Sequence, residues 1–158
     1  MAIKMCGIDA SSKKTGMAFL NNGKLVHCGL LDFSSYTNRE ERMALMCNAI
    51  LDKLDEQKPN ILYIEDSWNA ANVETTKLLT RILGVTYAWA LKNNCEWNSI
   101  LPSTWRKYCG IEQGKKKRAE LKQASIDYVK QRYKIDVNDD VADAIALSDG
   151  VVNYFKLM

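Results

Sequence analysis

The sequence has a single histidine, His27, and its five cysteines (Cys6, Cys28, Cys47, Cys95 and Cys109) include no Cys-x-x-Cys pair. A structural zinc cage needs four nitrogen or sulfur ligands at short spacings, so none is expected. An odd number of widely spaced cysteines suits reduced, buried thiols rather than a disulfide framework. Proline occurs twice and glycine eight times, and no segment is poor in apolar residues, which argues against linkers and intrinsic disorder. No run of about eighteen apolar residues is present, and the opening MAIKMCGIDA reads as a strand rather than as a charged leader before an apolar stretch. The expectation is a chain that is neither exported nor membrane-spanning and that works in the cytoplasm.

What remains is enough for a hydrophobic core. At 158 residues and 47% hydrophobic content the chain is expected to fold as one domain over residues 1–158. The net charge of +3 is too small to imply a polyanionic partner, but its distribution is uneven. Between Leu101 and Lys122 seven basic residues face two acidic ones, an excess of five, so the rest of the chain sums to −2. The positive potential is gathered in one segment.

Periodicity gives the order of elements. Ile3 to Ile8, Met17 to Leu20 and Lys24 to Phe33 read as strands, the last two joined by Asn22-Gly23, the strongest short hairpin signal. Thr37 or Asn38 can cap a helix whose apolar positions Met43, Met46, Ile50 and Leu54 recur at three and four before Pro59 stops it. Ile61 to Ile64 is a short apolar run suited to a buried parallel strand, ending on Glu65 and Asp66. A second amphipathic helix spans Asn72 to about Asn93, a strand Trp97 to Leu101, and helices Ala119 to Tyr133 and Asp139 to Phe155, with Asn138 as a cap. This order predicts an α/β architecture with a mixed sheet between helical layers.

Four carboxylates stand at places where such a fold puts chemistry. Asp9 closes the first strand, amid the small residues Gly7, Ala10, Ser11 and Ser12, and Glu65 closes the fourth. Sites in open α/β sheets form beyond strand ends, so adjacency of these two strands would set the acids side by side. Asp140 and Asp143 are three apart and project about 60° from each other on a helix, on one face. The helix continues Ala144-Ile145-Ala146-Leu147, so its acidic first turn leads into a buried body, which is costly without a cation nearby. Converging carboxylates suit magnesium, a hard cation that takes oxygen ligands. Two such ions about 3.5–4 Å apart stabilise the attacking and leaving oxygens of a phosphodiester displacement. Each acid also has an ordinary explanation: Asp139 and Asp140 favour a helix start by capping and dipole, and Glu65-Asp66 could open a polar turn.

The sequence resembles the RuvC-like Holliday junction resolvases at four places, in the family's order and across nearly the whole chain. They are GIDASSKKTGMAF from Gly7 to Phe19 with its Thr15-Gly16 pair, YIEDSW around Glu65, LPSTWRK with the basic stretch that follows, and DVADAIALSDG from Asp140. The resemblance implies a ribonuclease H-like fold with a five-stranded mixed sheet flanked by helices, and Asp9, Glu65, Asp140 and Asp143 as catalytic metal ligands. It further implies two magnesium ions per site, with manganese substituting, and a homodimer that nicks opposed strands of a four-way DNA junction. The small size hints at a phage or viral member acting in the host cytoplasm. The segment after Glu65 departs from the longer cellular resolvases, and the GKKKR run is more basic.

For DNA contact, Arg106, Lys107, Lys115, Lys116, Lys117, Arg118 and Lys122 form the natural phosphate-binding group, with Lys13 and Lys14 beside Asp9. A solvated loop and helix start is the ordinary alternative for the lysine run, but consecutive positive charges repel one another and a polyanion would relieve them. Trp68 falls where the family often has an aromatic that probes the junction centre, and it could stack on a base or pack in the core. Gly84 permits close approach of a second helix, in a dimer or within one subunit. Two rival functions use the same features. One is cleavage of RNA in RNA–DNA hybrids, which calls for a glutamate on the first helix, where Glu40 and Glu41 sit. The other is non-catalytic junction binding through the basic surface alone. Actin-like ATPases and sugar kinases also open with a strand-end Asp, but they need two such domains.

Overall fold

A computed structural model describes residues 2–66 and 72–157. Its elements are β1 (Lys4–Asp9), β2 (Lys14–Asn21), β3 (Lys24–Asp32), α1 (Arg39–Gln57), β4 (Ile61–Glu65), α2 (Val73–Lys92), β5 (Glu96–Ile100), α3 (Pro102–Tyr108), α4 (Arg118–Tyr133) and α5 (Asp139–Phe155). One five-stranded sheet has the order β3-β2-β1-β4-β5, antiparallel across β3, β2 and β1 and parallel across β1, β4 and β5. This is the α/β architecture that the order of elements predicted, in the ribonuclease H-like arrangement that the resemblance implied.

Local chemistry accounts for most boundaries. Asn38, Asn72 and Asn138 cap α1, α2 and α5, each side chain accepting from the backbone N–H three residues on. Helix α1 ends at Lys58, in the left-handed region, just before Pro59. Asn22 and Gly23 both take positive φ and turn β2 into β3. The sequence reading missed α3. The strand expected over Trp97 to Leu101 is followed at once by Pro102, which occupies the first turn of this helix, where its missing N–H costs nothing.

Alternation along the strands assigns the two sheet faces. Cys6, Ile8, Met17, Phe19, Leu62 and Ile64 pack with α1 and α2, while Met5, Ala18, Leu20 and Tyr63 pack with α5 and the helices behind it. Helix α5 is enclosed between the sheet and α3 and α4, and every residue from Val141 to Val152 is buried. Two glycines let it lie so close. A Cβ on Gly7 would run into the Ser148 hydroxyl and lie 2.8 Å from the Ala144 carbonyl. A Cβ on Gly16 would collide with the Asp140 carbonyl and lie 2.9 Å from Val141 N.

Gly16→Ala should therefore lift the first turn of α5 off the sheet. The expected cost is about 1–3 kcal/mol of overpacking, read by urea denaturation against Gly29→Ala, whose Cβ meets nothing within 4 Å. Equal stability of the two variants would contradict the close packing described.

Helix α4 is fastened to α5 through the fully buried Asp149. Its carboxylate accepts from Tyr128 and Tyr133 hydroxyls and the Asn153 amide, and pairs with Arg132 at 3.3 Å. A buried charge satisfied on all sides is tolerable, and here it fixes the helix that carries Arg118 and Lys122.

Candidate active site

Strand register brings the four acids together. Asp9 follows Ile8, which pairs with Ile64 of the parallel neighbour, so Asp9 and Glu65 emerge beside one another at the carboxyl ends of β1 and β4. By alternation both point to the α5 face, continuing Met5-Gly7 and Ile61-Tyr63. Across the other edge of β1, Asp9 pairs with Gly16, and over Gly16 lies the Asp140 backbone. The glycine thus sets the acidic turn of α5 above Asp9, and Asp143 follows one turn later.

All four line one cleft of about 880 Å³. Arg106 from α3 and Arg118 and Lys122 from α4 also line it, with Thr75, Leu78 and Leu79 from the first two turns of α2. Asp66, which lies outside the cleft lining, gives its backbone N–H to the Ile100 carbonyl at 2.8 Å. Asp139 pairs with Lys122, which pulls its carboxyl below the ordinary aspartate range.

The acids resist ionisation. Burial raises Asp9 well above its ordinary value, and the charges of Glu65, Asp143 and Asp140 raise it further against the pull of Lys122. Burial pushes Glu65 up to about 7, opposed by a hydrogen bond from Trp105. Asp143 rises to about 6, again by burial, with the nearby Ser125 hydroxyl and Arg106 guanidinium opposing. Asp140 is raised by burial and by Asp139, and lowered by Lys122, Lys14 and Arg118. Ser125 donates to the Leu121 carbonyl at 3.4 Å, and Asp143 Oδ1 is buried without a hydrogen-bond partner. Clustered, desolvated carboxylates with an orphaned oxygen form an all-oxygen donor set that suits a hard divalent cation. Among the described residues no three Asp, Glu, His or Cys side chains gather closely enough to close around an ion. Magnesium is commonly held this way, by a few carboxylates together with substrate phosphate oxygens and water.

The basic candidates divide. Arg106 lies over the Trp105 ring at 5.0 Å, with its Nε buried and unpartnered, and faces the acids with Arg118 and Lys122. Lys13, Lys14, Lys107, Lys115, Lys116 and Lys117 are exposed and outside the cleft lining, though Lys14 is near enough to lower Asp140. Trp68 lies outside the described residues. Sequence reasoning missed Trp105, Ser125 and the α2 wall, and only Pro102, a favoured first residue of a helix, could have signalled α3.

The family model described as crossover junction endodeoxyribonuclease RuvC matches residues 5–148. The chain belongs to the RuvC family. Its fold agrees with that of several solved structures. Thermus thermophilus RuvC in complex with a Holliday junction substrate superposes with a TM-score of 0.76 at 15% identity, covering 98% of this chain and 95% of that one. A second Thermus thermophilus RuvC structure gives 0.74 at 15% identity, with 97% and 95% covered. The yeast mitochondrial Holliday junction resolvase Ydc2 gives 0.65 at 17% identity, with 97% of this chain and 79% of that one covered. No curated protein is matched by sequence. The RuvC membership thus rests on the family model, and the structural likenesses add the fold. No helix among the described residues is long and apolar enough to cross a membrane.

Proposed function

We propose that this protein is a structure-selective endodeoxyribonuclease that resolves Holliday junctions by paired nicking. The observation that carries the proposal is the convergence of Asp9, Glu65, Asp140 and Asp143 in a cleft shared with Arg106, Arg118 and Lys122. In this reading the four acids hold two magnesium ions, with manganese able to substitute. When bound, the ions supply the positive charge that favours attack of water on phosphorus and departure of the ester oxygen. Arg106 and Arg118 hold the scissile phosphate by charge-assisted hydrogen bonds, and Leu78 and Leu79 keep water from one side of the cleft. Lys122, tied to Asp139, braces α4 against the acidic turn.

The exposed lysines outside the cleft suit the flanking duplex arms, where contacts to phosphate carry affinity without sequence preference. Arg118→Ala is expected to weaken junction binding and to reduce the slope of log K against log salt by about one, measured by fluorescence anisotropy across a salt series. An unchanged slope would take Arg118 off the phosphate path.

We also propose that the enzyme acts as a homodimer through the outer face of α2. Val73 and Leu91 on this helix are exposed at 69% and 63%, Tyr87 at 48% with one edge against Trp97, and a Cβ on Gly84 meets nothing within 4 Å, so the subunit leaves much of this face uncovered. Two copies related by a two-fold axis would present two clefts to the two opposed strands.

The deciding experiment offers the protein a synthetic immobile four-way junction and an RNA–DNA hybrid with magnesium. Paired nicks that yield nicked duplexes support the proposal. Single unpaired nicks count against the dimer, and hybrid degradation with intact junctions would replace the function altogether. That rival is disfavoured by Glu40, which pairs with Arg81 at 2.9 Å outside the cleft, and by Glu41, which is also absent from the lining. Cleavage that survives excess chelator would remove the metal chemistry.

A further inference from the structure

Trp105 is completely buried and is among the largest side chains in the core, yet its one polar atom is directed at the active site: Nε1–H donates to Glu65 Oε2 at 2.8 Å. A buried indole N–H needs an acceptor, and a backbone carbonyl is the commonest solution. Here the acceptor is a candidate metal ligand.

The element carrying Trp105 is well fixed. Helix α3 starts directly after β5 and packs on α5 at Gly150, where a Cβ would lie 2.8 Å from Cys109 Sγ and 3.2 Å from the Trp105 carbonyl. Cys109 Sγ also donates to the Ala146 carbonyl at 3.0 Å. Trp105 therefore links the sheet-borne acid, Glu65, to the helix that bears Asp140 and Asp143.

We propose that Trp105 is a positioning residue for Glu65: its indole N–H holds one carboxylate oxygen and leaves the other free for a divalent cation. This rests on the reading of Glu65 as a cation ligand. A neutral donor suits the task better than lysine or arginine, because it orients the carboxylate without adding a positive charge that would repel the ion. The ring face serves separately as the surface under the Arg106 guanidinium.

The chain offers a matched control. Trp89 Nε1–H donates to Asp55 Oδ1 at 2.7 Å, the same chemical pairing away from the cleft. Trp105→Phe, which keeps a ring beneath Arg106 and loses the N–H, should raise the magnesium concentration for half-maximal junction cleavage about tenfold or more, with activity recovering at saturating metal. Manganese affinity measured by calorimetry without DNA should fall in parallel, and Trp89→Phe should change neither.

A second readout uses the unaltered protein. Its four indole N–H resonances can be assigned by eliminating those of Trp68, Trp89 and Trp97 with single Phe variants. The Trp105 signal should move as magnesium is added, and the Trp89 signal should stay. A stationary Trp105 signal, or half-saturation of Trp105→Phe within about twofold of the parent, overturns the proposal. Glu65→Gln separates the two levels. If it loses manganese affinity while Trp105→Phe does not, positioning by Trp105 fails alone; if it binds manganese normally, the ligand role of Glu65 fails and the proposal falls with it.

Discussion

Asp9→Asn should bind four-way junctions and fail to cut them. The surroundings of Asp9 oppose a charge: burial and the negative charges of Glu65, Asp143 and Asp140 all act on it, against the pull of Lys122. A site built in this way favours a cation at that point, and replacing the carboxylate by an amide removes one full negative charge from the cation's surroundings. If this costs about 3–4 kcal/mol of transition-state stabilisation, cleavage falls by about 10²–10³-fold. DNA affinity should hold or rise, because the cleft arginines Arg106 and Arg118 are untouched and one repulsive charge is gone. Gel-shift and cleavage assays on the same junction decide the matter. Cleavage within tenfold of the parent would remove Asp9 from the catalytic set, and lost binding would make its role structural.

Asp143→Asn should abolish cleavage and, without divalent cations, make the protein more stable. Glu65 and Asp143 have folded values of about 7 and about 6, above their ordinary 4.5 and 3.8. The folded state therefore binds protons that the unfolded chain has released, so stability declines as pH rises through the folded values. In chelator, the melting temperature should be highest near pH 5 and fall toward pH 8, and magnesium should flatten the decline. Asp143→Asn removes one of the groups responsible, for an expected gain of about 1–2 kcal/mol at pH 8, or roughly 2–8 °C. Loading of the cation requires ionised ligands, so cleavage at limiting magnesium should rise between about pH 6 and 8, and at saturating magnesium the rise should shift to lower pH. A melting temperature that climbs with pH in chelator would show that these carboxylates are not held against ionisation. Loss of activity with gain of stability is the signature expected of a strained functional group.

How much of this was legible beforehand varies from residue to residue. The Asn138 cap, the three-residue spacing of Asp140 and Asp143, and the buried body that follows depend on neighbours in the chain, and the helix appears over the residues that periodicity predicts. The Asn22-Gly23 turn was equally local. Glu65 stands out over Asp66 because it directly closes the apolar strand, and the cleft is lined by Glu65 and not by Asp66. Helix α3 was missed because seven residues are too few to display a helical period, and a proline there reads as a stop.

The sequence by itself determined the strands, the principal helices and the segment where positive charge collects, and it offered the four acids as candidates, because these are properties of composition and short-range pattern. Tertiary structure alone decided which of them meet. Asp9 and Glu65 became neighbours through a parallel pairing of strands more than fifty residues apart, and Asp140 joined them because Gly16 leaves no side chain in its way. The same long-range packing divided the basic segment, placing Arg106, Arg118 and Lys122 along the cleft and leaving Lys115, Lys116 and Lys117 outside it. It also placed the indole of Trp105 on Glu65, forty positions away, a contact that no local pattern encodes because it depends on how α3 closes over the end of β4.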